Sequence, residues 1–203
     1  MWLLIQKGGP VMAPLLLTSL VGLTTVIERI LFIVREKKRR SPESVANILE
    51  YAEKGDFGRA IKSGQNTSDF VARVLVYGLL HREKSLSSAL LQAANIELKR
   101  FGKGLPTLDT IITLAPLLGL LGTVTGMIRA LGVLGQQELE MSTVITGGIA
   151  EAFITTAFGL SIAIVSLIPF NFLNARLEQA RHEIEDASTH LELSLRKPCM
   201  GNS

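Results

Sequence analysis

Thr123, Thr155, Thr156 and Glu151 are the residues whose types and places could do chemistry, because each stands inside an otherwise oily run. A threonine hydroxyl donates one hydrogen bond and accepts two, so it can hold water or a carboxyl group without carrying charge itself. An ionisable side chain at membrane depth costs roughly 2.5 to 3.5 kcal/mol on insertion scales and is ordinarily kept facing a polar interior. Counted inward from the polar stretch 135–143, Thr123 is 12 residues from Gly135 and Thr156 is 13 from Thr143. On helices the two hydroxyls therefore share a depth of ~18 to 20 Å. Arg129 and Glu151 lie 6 and 8 residues from the same two ends. They can sit at similar heights, where opposite charges reduce each other's burial cost. The competing reading has Arg129 snorkel outward to Glu138 or Glu140.

Glycines surround these polar positions. Placed on a helix at ~100° per residue, Ala115, Gly119, Gly122, Thr123, Gly126 and Ala130 fall within an arc of ~100°, with Leu117, Leu120, Leu121, Ile128 and Leu131 opposite. Gly148, Ala152, Thr155, Thr156, Gly159, Ala163 and Ser166 make a similar arc in the later stretch, with Glu151 at its edge. Small faces let helices approach closely, and Gly122 to Gly126 is itself a GxxxG, so packing accounts for the glycines. Packing alone gives no use for Glu151.

Three uncharged blocks must carry these residues. Gly8 to Ile27 is 20 residues without a charge, Thr110 to Ile128 is 19, and Ala152 to Ala175 is 24, in a chain of 203 residues that is 47% hydrophobic. Each is long enough to cross a core of ~30 Å as a helix. The first block lacks a basic leader and reads as a retained helix. Arg35 to Leu108 holds 14 Lys and Arg against 8 Asp and Glu, whereas Gly135 to Thr143 holds two glutamates and no base. The basic excess predicts that the large loop is cytoplasmic. The expected order is an N-terminal periplasmic stretch at 1–9, spans at 10–34, 109–134 and 144–173, a cytoplasmic helical loop at 35–108, a periplasmic connection at 135–143, and a cytoplasmic helix and tail at 174–203. The fold class is thus all-α, a membrane protein with three transmembrane helices and long cytoplasmic helical extensions.

The loop itself reads as helices. Ser41 and Pro42 make an N-cap and first turn, Val45, Ile48, Leu49 and Ala52 keep a helical period, and Gly55 ends it. A short helix follows Asp56 through Ala60 and Ile61. Asp69 to Leu80 presents Val71, Val74, Leu75 and Leu79 on one face, and Ser85 to Phe101 presents Leu86, Ala89, Leu90, Ala93 and Ile96. The last of these is expected to extend the second span. Leu177, Ile184, Leu191 and Leu195 continue a helical period in the tail. The lone Cys199 forms no intramolecular disulfide. His81, His182 and His190 lack metal spacing, and neither a phosphate loop nor a nucleophile elbow occurs, so no enzyme, metal or cofactor is expected. Asp109 reads as a solvated boundary residue. A basic stripe interleaved with aromatics is missing, which argues against nucleic acid.

APLLGLLGTVTGMIRAL (Ala115 to Leu131) and GGIAEAFITTAFGLSIAIVSLIPFN (Gly147 to Asn171) together resemble the paired signature of the TolQ/ExbB/MotA proton-channel family, closest to its ExbB and TolQ branch. The resemblance covers most of the chain, and it implies a homopentamer around two helices of an ExbD- or TolR-like single-span partner that supplies a membrane aspartate. It implies that Thr123 and Thr156 line the proton pathway, that Glu151 is the glutamate heading the third span, and that the small stripe makes room for helices of another chain. Glu151 and Thr155 are further pathway candidates, and Gly119, Gly122, Gly126, Gly148 and Gly159 form the small packing face. Arg129 departs from the family's usual small or polar residue and is a candidate for the outer entrance. The implied task is to use the proton motive force at a bacterial inner membrane, with a TonB-like protein as a further partner and lipids around the subunit. A TolQ-like envelope unit or gliding-type motor subunit is the alternative within the family. Outside it stand a non-conducting scaffold and a channel complete in itself.

Overall fold

The computed structural model describes residues 8–132 and 138–196. Among them are seven helices and no strand: α1 (Met12–Lys38), α2 (Pro42–Glu53), α3 (Phe57–Gln65), α4 (Phe70–Leu80), α5 (Arg82–Gly102), α6 (Leu105–Gly132) and α7 (Glu138–Arg196). The expected 1–9 stretch up to Lys7, residues 133–137 of the expected span end and connection, and Cys199 lie outside the described residues. Helix α7 begins at Glu138, inside the stretch expected as a connection. Three apolar runs, within Met12–Lys38, Arg82–Gly132 and Thr146–Leu195, are long and apolar enough to cross a membrane. Their large side chains face outward: Leu17 and Leu20 are each 64% exposed, Ile128 64% and Phe153 71%. So much exposed aliphatic surface is costly in water and matches a hydrocarbon solvent.

The helix ends follow local chemistry. Gly55 adopts φ +75° and closes α2, a conformation that L side chains seldom take. Asp56 caps α3 by accepting from the Arg59 N–H at 3.0 Å, and Asp69 caps α4 by accepting from the N–H groups of Val71 and Ala72. Ser41 stands at the N-cap position of α2 but its side chain makes no cap bond. Its hydroxyl pairs with that of Ser44, and its N–H donates to Asp69 Oδ2 at 2.7 Å. The expected continuity of α5 with the second span is interrupted. The two helices are separated at Lys103 and Gly104, where Gly104 takes φ +84°.

The chain forms two compact units, one made of residues up to Arg29 with Gly104–Phe172, the other of Ile30–Lys103 with residues from Leu173 onward. The second unit is a helical bundle with its own core, in which Ile48, Leu75, Leu79, Ile184 and Leu191 are at most 1% exposed. Helix α4 is buried nearly all round, more than its expected single face, because α2, α3 and α5 all pack on it. On α5, Ala89, Leu90 and Ala93 are buried as expected, but Ile96 is exposed and Glu97 is buried in its place. The reason is a charge: Arg73 donates from Nε and Nη2 to both oxygens of Glu97 at 2.9 Å, and its Nη2 also reaches Glu36. Burial pushes the Arg73 guanidinium's pKa down, but the bonds to Glu97 and Glu36 more than offset this and leave it raised. With a raised folded pKa, this contribution is complete at low pH and lost only as pH rises through that value, above the working range of proteins. Glu36 and Arg40 thus turn inward from the basic run REKKRR. Arg35, Lys37, Lys38 and Arg39 stay exposed.

Candidate functional site

The first unit holds the polar residues of the spans. Its centre is the contact between α6 and α7, built from the small residues of both. A Cβ added at Gly119 would lie 3.0 Å from Thr156 Cα, one at Gly126 would lie 2.8 Å from the Gly148 carbonyl, and one at Gly159 would lie 2.5 Å from the Ala115 carbonyl. At Gly122 it would overlap the Thr155 hydroxyl. Backbone cannot yield as a side-chain tip can, so these glycines are required by the approach of the two helices. Within the chain the two small stripes close on each other, as their packing-face reading expects.

The threonines are ordered by this contact. Thr156 donates to the Gly119 carbonyl at 3.0 Å, and Thr123 donates to the Leu120 carbonyl at 2.6 Å. Two hydroxyls from different helices are therefore anchored on adjacent carbonyls of α6, at one level. Both residues are half-buried. Thr155 is fully buried, and its hydroxyl donates to the carbonyls of Glu151 and Ala152. Each hydroxyl has committed its proton to a carbonyl, so what it offers a further group is an acceptor.

Glu151 and Arg129 form an ion pair, Nη1 to Oε1 at 2.9 Å, with the glutamate side chain 16% exposed and the arginine 52%. The side chains of Glu138 and Glu140 lie outside the described residues. At ~100° per residue Glu151 is ~140° from Thr156 around α7, and Arg129 is ~120° from Thr123 around α6. Glu151 instead shares a side with Phe158 and Ile162, which pack on the cluster of Val11 with Met12 and Leu15 of α1. The structure brings the charges together on the flank facing α1, and the hydroxyls of Thr123 and Thr156 together elsewhere on the hairpin. Thr155, ~40° from Glu151, lies between the two groups.

One contributor was missed by sequence reasoning. Gly9, in the turn before α1, has φ +65°, and a Cβ there would overlap Glu151 Oε1. The signal was the GGP at 8–10, which marks a turn but not its neighbour. Asp109, on the second span, is exposed.

These features define a class: a helical membrane protein of three apolar helices in which the small-residue contact of two of them carries hydroxyls and an ion pair. Residues 65–186 match the MotA/TolQ/ExbB proton channel family, so the chain belongs to that family. It is 37% identical to "Putative biopolymer transport protein ExbB-like 1" of Synechocystis sp. over 94% of this chain and 77% of that protein. It is 31% identical to the "ExbB-like 3" protein of the same organism over 95% of this chain and 93% of that one. It is 33% identical to "Biopolymer transport protein ExbB" of Xanthomonas campestris over 53% of this chain and 45% of that protein. The family is one of proton channels and transport subunits.

Proposed function

We propose that this chain is the proton-channel and stator subunit of an ExbB–ExbD-type motor in a bacterial inner membrane, using the proton motive force to energise TonB-dependent transport across the outer membrane. The observation that carries this reading is the level formed by Thr123 and Thr156, two hydroxyls on adjacent carbonyls with acceptor capacity to spare. A hydroxyl in that state suits a neutral carboxyl, which donates its proton, better than a carboxylate, which only accepts. The pathway takes in the hydroxyls of Thr123, Thr156 and Thr155.

Five copies surround the single-span partner, whose membrane aspartate exchanges protons at the threonine level. A proton moving inward gains ~2.3 kcal/mol per 100 mV. Once neutralised, the aspartate leaves its site at low desolvation cost, and proton release on the cytoplasmic side restores its charge. The change of charge biases the partner helices to turn or shift, and a TonB-like protein receives that work. The spans are placed at 10–34, 109–134 and 144–173, with the N-terminus periplasmic, the C-terminus cytoplasmic and lipid on the outward leucines.

Two outcomes test this. With Asn66→Cys and Gln136→Cys introduced singly, an impermeant thiol reagent should label them from opposite faces of the membrane, as the basic loop requires. Labelling from one face would remove the three-span topology. With Thr123→Val and Thr156→Val combined, shape is kept and both hydroxyls are lost, so proton-driven activity should fall by about tenfold or more while the complex still assembles. Full activity in that double variant would leave the stripe with a packing role alone.

A further inference from the structure

We propose that Arg129, Glu151 and the Gly9 turn form an outer clasp, in which Glu151 is a positioning residue that ties α1 to the α6–α7 hairpin and is not itself a carrier of protons. Three observations carry this. Glu151 is closed by Arg129 at 2.9 Å, so the two charges form a unit that is neutral as a whole. The pair lies on the flank of the hairpin facing α1, away from the hydroxyls of Thr123 and Thr156. The backbone of Gly9 lies against the carboxylate, where an added Cβ would overlap the Glu151 tip and displace it, and its φ of +65° suits glycine.

The clasp has a physical consequence. Removing one partner leaves the other as an unpaired charge at membrane depth, which is costly, whereas removing both together leaves no uncompensated charge. Glu151 then matters through Arg129, and a carboxyl group at position 151 is dispensable once the arginine is gone. A proton carrier behaves oppositely, since every variant lacking a carboxyl at 151 loses the relay whatever stands at 129.

The test uses the full chain with its partner subunit in membrane vesicles, reading proton flux per assembled complex in four variants: Arg129→Gln, Glu151→Gln, the two combined, and the charge exchange Arg129→Glu with Glu151→Arg. Each single change should lower flux about tenfold, the factor that ~1.4 kcal/mol produces. The combined neutral variant should return to within about twofold of the parent, with the exchanged pair close behind. A combined neutral variant as inactive as Glu151→Gln alone overturns the clasp. The flux arm rests on the proton-driven reading, so melting of the purified complex is measured on the same variants. Lowered melting temperatures in both single variants with recovery in the combined one support the clasp even where flux is absent throughout, and strictly additive lowering overturns it.

Discussion

Vesicles holding this chain alone will not conduct protons usefully, and flux will appear when a single-span subunit with a membrane aspartate is added. The reason is the inventory of the spans. At the level of Thr123 and Thr156 the chain offers hydroxyls that already give their protons to carbonyls. Glu151 is engaged by Arg129. Asp109 lies 14 residues from Thr123 along α6, ~21 Å away. A hydroxyl can hydrate and steady a proton-exchanging group, but the group that binds and releases the proton must come from elsewhere. Copurification should yield an excess of this chain over the partner. Changing the partner's aspartate to asparagine should lower flux by about 10²-fold or more, because the amide keeps the shape and loses the exchangeable proton. The measurement is a pH-sensitive dye inside vesicles under an imposed potential. Robust flux from this chain by itself would replace the stator with a self-contained channel.

The second large effect is expected far from the spans' polar residues, at Asp69. This carboxylate is fully buried, and it accepts from Arg40 Nη1 on both oxygens at 2.7 Å and from three backbone groups: the N–H of Ser41 at 2.7 Å, the N–H of Val71 at 2.8 Å and the N–H of Ala72 at 3.4 Å. Arg40 in turn reaches Glu183 and lies over the Phe70 ring at 4.7 Å. One side chain thereby caps α4, fixes the entry to α2 and joins both to α7. Asp69→Ala removes the acceptor from three backbone donors and from a half-buried guanidinium at once. A loss of ~3 to 5 kcal/mol is expected for the second unit, the range for breaking a buried, hydrogen-bonded charge pair. Denaturant unfolding of the purified protein, followed by helical signal, measures it. The exposed pair of Glu50 on α2 and Lys54 at its C-cap serves as the control, since Glu50→Ala should leave stability nearly unchanged. Equal effects at the two sites would mean that Asp69 is not the keystone of this bundle.

The polar residues of the spans were partly legible before any fold was known. Counting residues inward placed Thr123 and Thr156 at one depth, because helical rise is constant, and their hydroxyls sit on adjacent carbonyls. The same counting put Arg129 and Glu151 at similar heights, and they are paired. What counting cannot supply is direction around the axis relative to neighbours. That the small stripes of α6 and α7 meet each other within the chain is seen only in the close approach of Gly119, Gly126 and Gly159 to opposing backbone.

Sequence by itself determined the three apolar spans, their small faces and the helices of the loop, since length, hydropathy and a period of 3.6 are local properties written into consecutive residues. Tertiary structure alone decided which charges turn inward. Glu97 displaced Ile96 from the core because Arg73, 24 residues away, required a partner, and Arg40 found Glu183 across 143 residues of chain. It also decided what lies over Glu151, where a turn formed by Gly9 settles on a carboxylate far along the sequence. Periodicity records that a face is buried, while the identity of what buries it depends on contacts between distant segments, and those exist only once the helices have packed.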